Sequence, residues 1–243
     1  MAWADARLVP SLADRTWARE AVRGFPRTGC FIVGSIAHRG YAYSHVTFCN
    51  VTKTTVYSRV LVVSATRAEA AHVPTGTRLL GTGLGKVTAA MSLARVLTQA
   101  QHGVVAPVSA IVNIGTAGAL HDRHAGLFVP SRVTEHDLDA DVLRDLGYPT
   151  ASSWEIPDGD GTVLATGDSF ISDSSRRAQL ARIADLVDME GAAVARVAAE
   201  FGVPLRLVKV VSDTADETAV DWPERVDAAA RRLGEWLRET DLG

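Results

Sequence analysis

From Val60 onward, short apolar runs rich in β-branched residues alternate with longer stretches in which apolar residues recur at helical spacing. Val60 to Ala65 reads as a buried strand, after which Thr66 opens a helix-like stretch. Arg78 to Leu80 reads as a second strand, running into the Gly81 to Lys86 turn and a helix from Val87 to Thr98. Ala110 to Ile114 follows as a strand ending in Gly115-Thr116-Ala117-Gly118. Leu127 to Pro130 and Arg132 to Thr134 read as one strand and its continuation, and Thr162 to Ala165 as another. Ala184 to Val187 leads into a helix from Met189 to Phe201, and Pro204 to Val211 is the last strong strand. Asp221 to Leu237 makes an amphipathic closing helix. This alternation predicts one α/β domain over residues 60–243, with a mostly parallel mixed sheet flanked by helices. Ligands bind beyond the carboxyl ends of strands in such sheets. The chemistry is therefore expected just after Val63, Leu80, Ile114, Ala165, Val187 and Val211.

Charge separates the first 59 residues from the rest. They hold eight Lys/Arg and three Asp/Glu of the chain's 25 and 28, leaving 17 basic and 25 acidic residues beyond. Cys30 and Cys49 both lie in that first segment, so residues 60–243 have no thiol for a disulfide, a zinc site or a nucleophile. Residues 1–59 are expected to be an extension, either a disordered arm or upstream sequence read from a start placed too early. Arg27 to Gly34 is a poor signal segment, since it starts late and no small-residue cleavage site follows closely. The net charge of −3 argues against nucleic acid as the main partner. The apolar runs are too short to cross a membrane, so a cytoplasmic location is expected.

Several motifs invite chemistry and also have structural readings. Gly81 to Lys86 imitates a phosphate loop, yet Leu80 and Val87 occupy two required positions of the nucleotide-binding version, and no Gly-x-Gly-x-x-Gly is present. Thr66-Arg67-Ala68-Glu69 fits a capping box, but it also places a carboxylate at the end of the first strand, where it could deprotonate water. Asp188-Met189-Glu190-Gly191 puts acids in a helix's first turn, and Ser212-Asp213 can be read as a cap. His136-Asp137 is a His/acid pair, with a loop hydrogen bond as its expected role. No metal-binding spacing and no Gly-x-Ser-x-Gly elbow occurs.

Taken in order, seven stretches resemble the nucleoside phosphorylase/nucleosidase superfamily, and most closely the 5′-methylthioadenosine/S-adenosylhomocysteine nucleosidases. They are Ser64 to Glu69, Gly83 to Ala90, Asn113 to Gly118, Glu135-His136-Asp137, Thr166 to Ile171, Val187 to Ala193 and Val211 to Asp216. The resemblance implies hydrolysis of a purine N-glycosidic bond. Glu69 would be the base that activates water, Asp213 the acid that stabilises the leaving purine, and Glu190 the ligand of the ribose hydroxyls. It further implies that Met189 packs on the sugar, Phe170 stacks on the purine and the Ile171 backbone meets the base edge. Ser212 would orient Asp213, and Thr116 and Gly118 would line the water side. No metal or organic cofactor is implied. The expected partner is a small purine nucleoside, in a homodimer serving nucleoside catabolism and methionine salvage.

The chain departs from that family in ways that bear on substrate. Ser64 replaces a usual glycine, Arg67 and Ala68 a run of acids, and Asp188 a glutamate. Only about ten residues separate Glu69 from the next strand, where the family carries a longer segment with an extra hairpin. That segment belongs to the wall receiving the 5′-substituent. Two other readings remain: a phosphorylase, for which Arg67 would be a phosphate ligand, and a nucleoside binder without catalysis. Asn113-Ile114, where the hexameric phosphorylases place arginine, favours hydrolysis.

Overall fold

In the computed structural model, residues 31–38, 41–48 and 59–240 are described. The chain divides into two compact units, residues 1–55 and 56–243. In the first, β1 (Phe31–His38) and β2 (Tyr41–Phe48) form an antiparallel hairpin. Cys30, Cys49 and the start of the Arg27 to Gly34 segment lie outside the described residues.

The second unit begins with β3 (Val60–Ser64) and β4 (Leu79–Gly81), then α1 (Lys86–Gln101) and β5 (Ala110–Ala119). Next come β6 (Leu127–Phe128), β7 (Arg132–Glu135), α2 (Ala140–Asp145), β8 (Ser153–Glu155), β9 (Val163–Thr166) and α3 (Ser174–Leu180). The chain continues through β10 (Leu186–Asp188), α4 (Gly191–Glu200) and β11 (Leu205–Asp213). A 3₁₀ turn (Glu217–Asp221) leads into α5 (Trp222–Glu239). Nine strands form one mixed sheet in the order β4-β3-β5-β10-β9-β7-β8, with β11 also on β5 and β6 on β11. The pairs β3–β4, β3–β5, β5–β11, β9–β10 and β7–β9 are parallel, which makes the sheet mostly parallel as expected.

The apolar alternation explains the layering. On β3, Leu61 and Val63 pack with Leu93 and Leu97 of α1 and Val194 and Val197 of α4. Val60 and Val62 point the other way, onto Ala229, Leu233 and Leu237 of α5. A strand buried on both faces needs an apolar residue at every position, which is what its sequence supplies. Helix α5 sits close because Gly234 has no side chain; a Cβ there would lie 2.3 Å from the His72 carbonyl oxygen.

Several expectations are corrected. The stretch after Thr66 is a set of turns rather than a helix. Leu127–Phe128 and Arg132–Glu135 are separate strands with different neighbours, β11 for the first and β8 and β9 for the second. Pro130 lies between them and lacks the N–H a continuous ladder would use. Helix α4 starts at Gly191, leaving Asp188 at the end of a strand. Strand β11 runs through Ser212 and Asp213, which are therefore not a helix cap, and its register against β5 shifts between Val211 and Asp213. The short elements β8, α2 and α3 carried no clear periodicity and were not expected. Among the described residues, no helix is long and apolar enough to cross a membrane.

Candidate active site

The strand ends converge on one pocket. It is lined by Glu69 from the turn after β3, Thr116 and Gly118 from β5, and Phe170 and Ile171 from the loop after β9. Met189 and Glu190 enter from the β10–α4 junction, and Ser212 and Asp213 from the end of β11. All nine expected site residues therefore share one cavity, with Leu84, Asp188 and Trp222 also on its wall.

Glu69 is 5% exposed and held by four donors. Its Oε2 accepts the Thr66 N–H (3.1 Å) and hydroxyl (2.8 Å), and the Glu69 N–H returns a bond to Thr66 Oγ1 at 3.1 Å. The capping box thus forms, although no helix follows it. Oε1 accepts the Thr116 N–H (2.8 Å) and hydroxyl (2.9 Å). Cap and pocket carboxylate are one residue.

Glu190 is 7% exposed and its Oε1 accepts the Gly85 N–H at 2.7 Å. Gly85 reaches it from a left-handed conformation, φ +89°, that suits glycine. Burial, and then the neighbouring Asp188 carboxylate, push the Glu190 carboxyl up to about 7. Asp188 is itself tied to Thr166 Oγ1 (2.5 Å), the Gly191 N–H (3.0 Å) and the Lys209 ammonium (2.8 Å). Lys209 is 2% exposed and also donates to Asn113 Oδ1 at 2.9 Å. Burial alone would lower its proton affinity, but Asp188, then Glu190 and Glu69, hold it above the ordinary value.

In the glycine-rich turn before α1, Gly85 and Lys86 are engaged by protein carboxylates. The Gly85 N–H is on Glu190, the Lys86 N–H is on Asp168 Oδ1 (2.8 Å), and Lys86 Nζ pairs with Glu135 (2.7 Å) and Asp137 (2.6 Å). Asp137 Oδ2 accepts the Asp168 N–H at 2.9 Å, so this acid braces the loop leading to Phe170 rather than its neighbour His136. The His136 ring nitrogens are buried with no hydrogen-bond partner, and burial lowers the ring's proton affinity. Arg67 is exposed and outside the pocket lining.

Asp213 lines the same pocket and is 6% exposed. Ser212 Oγ donates to its Oδ2 at 2.8 Å, and the Ala215 N–H to its Oδ1 at 2.9 Å. Gly118 makes room for it: a Cβ at that position would lie 3.0 Å from Asp213 Oδ1 and 2.9 Å from Ala215 Cβ. Ile171 is buried, whereas Phe170 is 51% exposed at the pocket mouth. Sequence reasoning missed Lys209 and Trp222 as parts of the site. A lysine inside the Leu205 to Val211 run was the available signal, since a charge there must be paired. Among the described residues, no cluster of His, Cys, Asp and Glu could hold a metal ion.

The family model described as "Phosphorylase superfamily" matches residues 74–240, more than half of the chain. The chain belongs to the phosphorylase superfamily. Within it, the 5′-methylthioadenosine/S-adenosylhomocysteine nucleosidase of Halalkalibacterium halodurans is 32% identical over 178 residues, covering 63% of this chain and 74% of the relative. The nucleosidase of the same name from Bacillus pumilus is 32% identical over 191 residues, covering 68% and 77%. These relatives are named as nucleosidases, in agreement with an N-glycosidic bond hydrolase. Among solved structures, the nucleosidase of S. pneumoniae with a transition-state inhibitor superposes with a TM-score of 0.62 at 23% identity, covering 75% of this chain and 99% of that one. The native futalosine hydrolase of Helicobacter pylori gives 0.62 at 21% identity, covering 76% and 97%. Both show the superfamily fold.

Proposed function

We propose that the unit from Val60 onward is a catalytic domain that hydrolyses the N-glycosidic bond of a purine nucleoside, with 5′-methylthioadenosine and S-adenosylhomocysteine as the substrates. The observation that carries this is the meeting of Glu69, Glu190 and Asp213 in one pocket. Cleavage builds positive charge on the sugar and negative charge on the departing base, so acids are needed on both sides of the bond. Glu69 takes the proton of the attacking water, with Thr116 and Gly118 on that side. Glu190 binds the ribose hydroxyls, an interaction that strengthens as the sugar becomes cationic. Asp213, oriented by Ser212, meets the leaving purine. Met189 packs on the sugar, Phe170 stacks on the base and the Ile171 backbone meets its edge.

Hydrolysis is favoured over phosphorolysis because the nearby cations and helix-terminal amides are already engaged. Lys86, Lys209, and the Gly85 and Lys86 N–H groups all hold protein carboxylates. We place the enzyme as a homodimer: Leu84, Val87 and Met91 are 59%, 75% and 61% exposed, beginning at the pocket mouth, and a second copy would cover them. Sedimentation should show two chains per particle. Incubating 5′-methylthioadenosine with and without phosphate tests the reaction. Adenine and free ribosyl sugar without phosphate are expected. A sugar 1-phosphate formed only with phosphate, or tight binding without adenine release, would overturn the reading.

A further inference from the structure

Glu69 has a feature that its role as a base does not by itself explain. A carboxylate offers about four lone-pair directions, and the protein fills four of them, two with Thr66 and two with Thr116. Two of the four donors are backbone N–H groups and stay put. The Thr66 hydroxyl is tied into the capping box, since its oxygen also receives the Glu69 N–H. The Thr116 hydroxyl differs. Its oxygen accepts the indole N–H of Trp222 at 2.8 Å, across 106 residues of sequence. An indole N–H can only donate, so the direction of this bond is fixed and the single hydroxyl proton of Thr116 is directed to the carboxylate. Trp222 and Glu69 both line the cavity, so the whole relay lies on the pocket wall.

We propose that Trp222 is a positioning residue for water activation, acting through Thr116 on Glu69. The indole bond keeps the Thr116 oxygen satisfied whichever way its hydroxyl points. When water enters, the hydroxyl proton swings from Glu69 Oε1 to the water oxygen, and the vacated lone pair accepts a water proton. Without the indole, that oxygen loses its fixed partner and the hydroxyl is free to turn away from both. The carboxylate then keeps one donor less on average.

This inference rests on the hydrolase reading for its kinetic arm, and a second arm does not need turnover. In the kinetic arm, Trp222→Phe keeps an aromatic ring and removes the N–H. The expected result is a kcat/KM lower by roughly 3–10-fold, smaller than the loss of an acid/base group, with the acid limb of the pH profile moved to higher pH. Thr116→Val should move the limb the same way, and the double variant should add nothing to Thr116→Val. An unmoved limb, or effects that multiply, would overturn the proposal. In the second arm, the indole N–H resonance that disappears in Trp222→Phe is followed in the full chain. It should shift in Thr116→Val and should follow a pH titration that is absent in Glu69→Gln. A resonance indifferent to both substitutions would sink the relay. If adenine is never released yet the resonance behaves as stated, the relay stands and the hydrolase reading fails.

Discussion

Two acids of the pocket share a residue type and nearly the same burial, yet the protein holds their carboxylates differently. Glu69 and Glu190 are 5% and 7% exposed. Glu69 receives four hydrogen bonds, whereas the Glu190 carboxylate receives one and faces Asp188; Lys209 is within electrostatic reach of both. Burial, one donor and an acidic neighbour keep the Glu190 proton near neutrality, whereas four donors fix the Glu69 carboxylate in one orientation.

The sharpest way to break this contrast is to remove the cation shared by both acids. Lys209→Met leaves Asp188 buried without its ion pair, and stability to urea should fall by about 3–5 kcal/mol; a loss under about 1 kcal/mol would mean that Asp188 simply takes up a proton. Next in size, Glu69→Gln keeps the shape of the side chain and removes the base, and kcat should drop roughly 10²-fold or more, as it should for Asp213→Asn. Near wild-type turnover in either variant would remove that acid from the mechanism. Gly118→Ala tests the crowding around Asp213. The new methyl meets Asp213 and Ala215, and kcat/KM should fall about tenfold or more through misplacement of the acid.

The smallest expected effect is on the proton held by Glu190. Its carboxyl is raised from an ordinary 4.5 to about 7 in the folded protein. The unfolded chain therefore gives up this proton at lower pH than the folded one, so native stability should decline as pH rises from about 4.5 to 7 and level off above. Glu190→Gln should lose that part of the decline, read as a flatter Tm across the same window. A Tm profile parallel to wild type would place the raised proton affinity elsewhere.

Much of this contrast was legible before any coordinates, but unevenly. Glu69 could be read twice, as a cap and as a pocket acid, and both readings hold because the cap forms without a helix behind it. Sequence reading could separate them no further, since a capping box is local and the bonds from Thr116 are not. The sheet alternation was clear because β3, β5 and β11 are buried runs with strong β-branched composition. The break at Pro130 was not, because only the choice of partner strand distinguishes one interrupted strand from two. Asp213 could be read as a helix cap or as the leaving-group acid, and the extension of β11 through it depends on pairing with Gly118 of β5. Lys209 and Trp222 were hidden for the same reason. Their partners lie 96 and 106 positions away, at Asn113 and Thr116.

The close seat of α5 on His72 carries a consequence for the order of assembly. Gly234 admits the His72 backbone, and His72 meets Asp227 at 2.8 Å across 155 positions of sequence. The turn bearing Glu69 is thus pinned from the far end of the unit, by contacts whose loop-closure cost must be met before they contribute. During refolding, helix content should return ahead of turnover, because the surroundings of Glu69 become complete only when the closing helix docks.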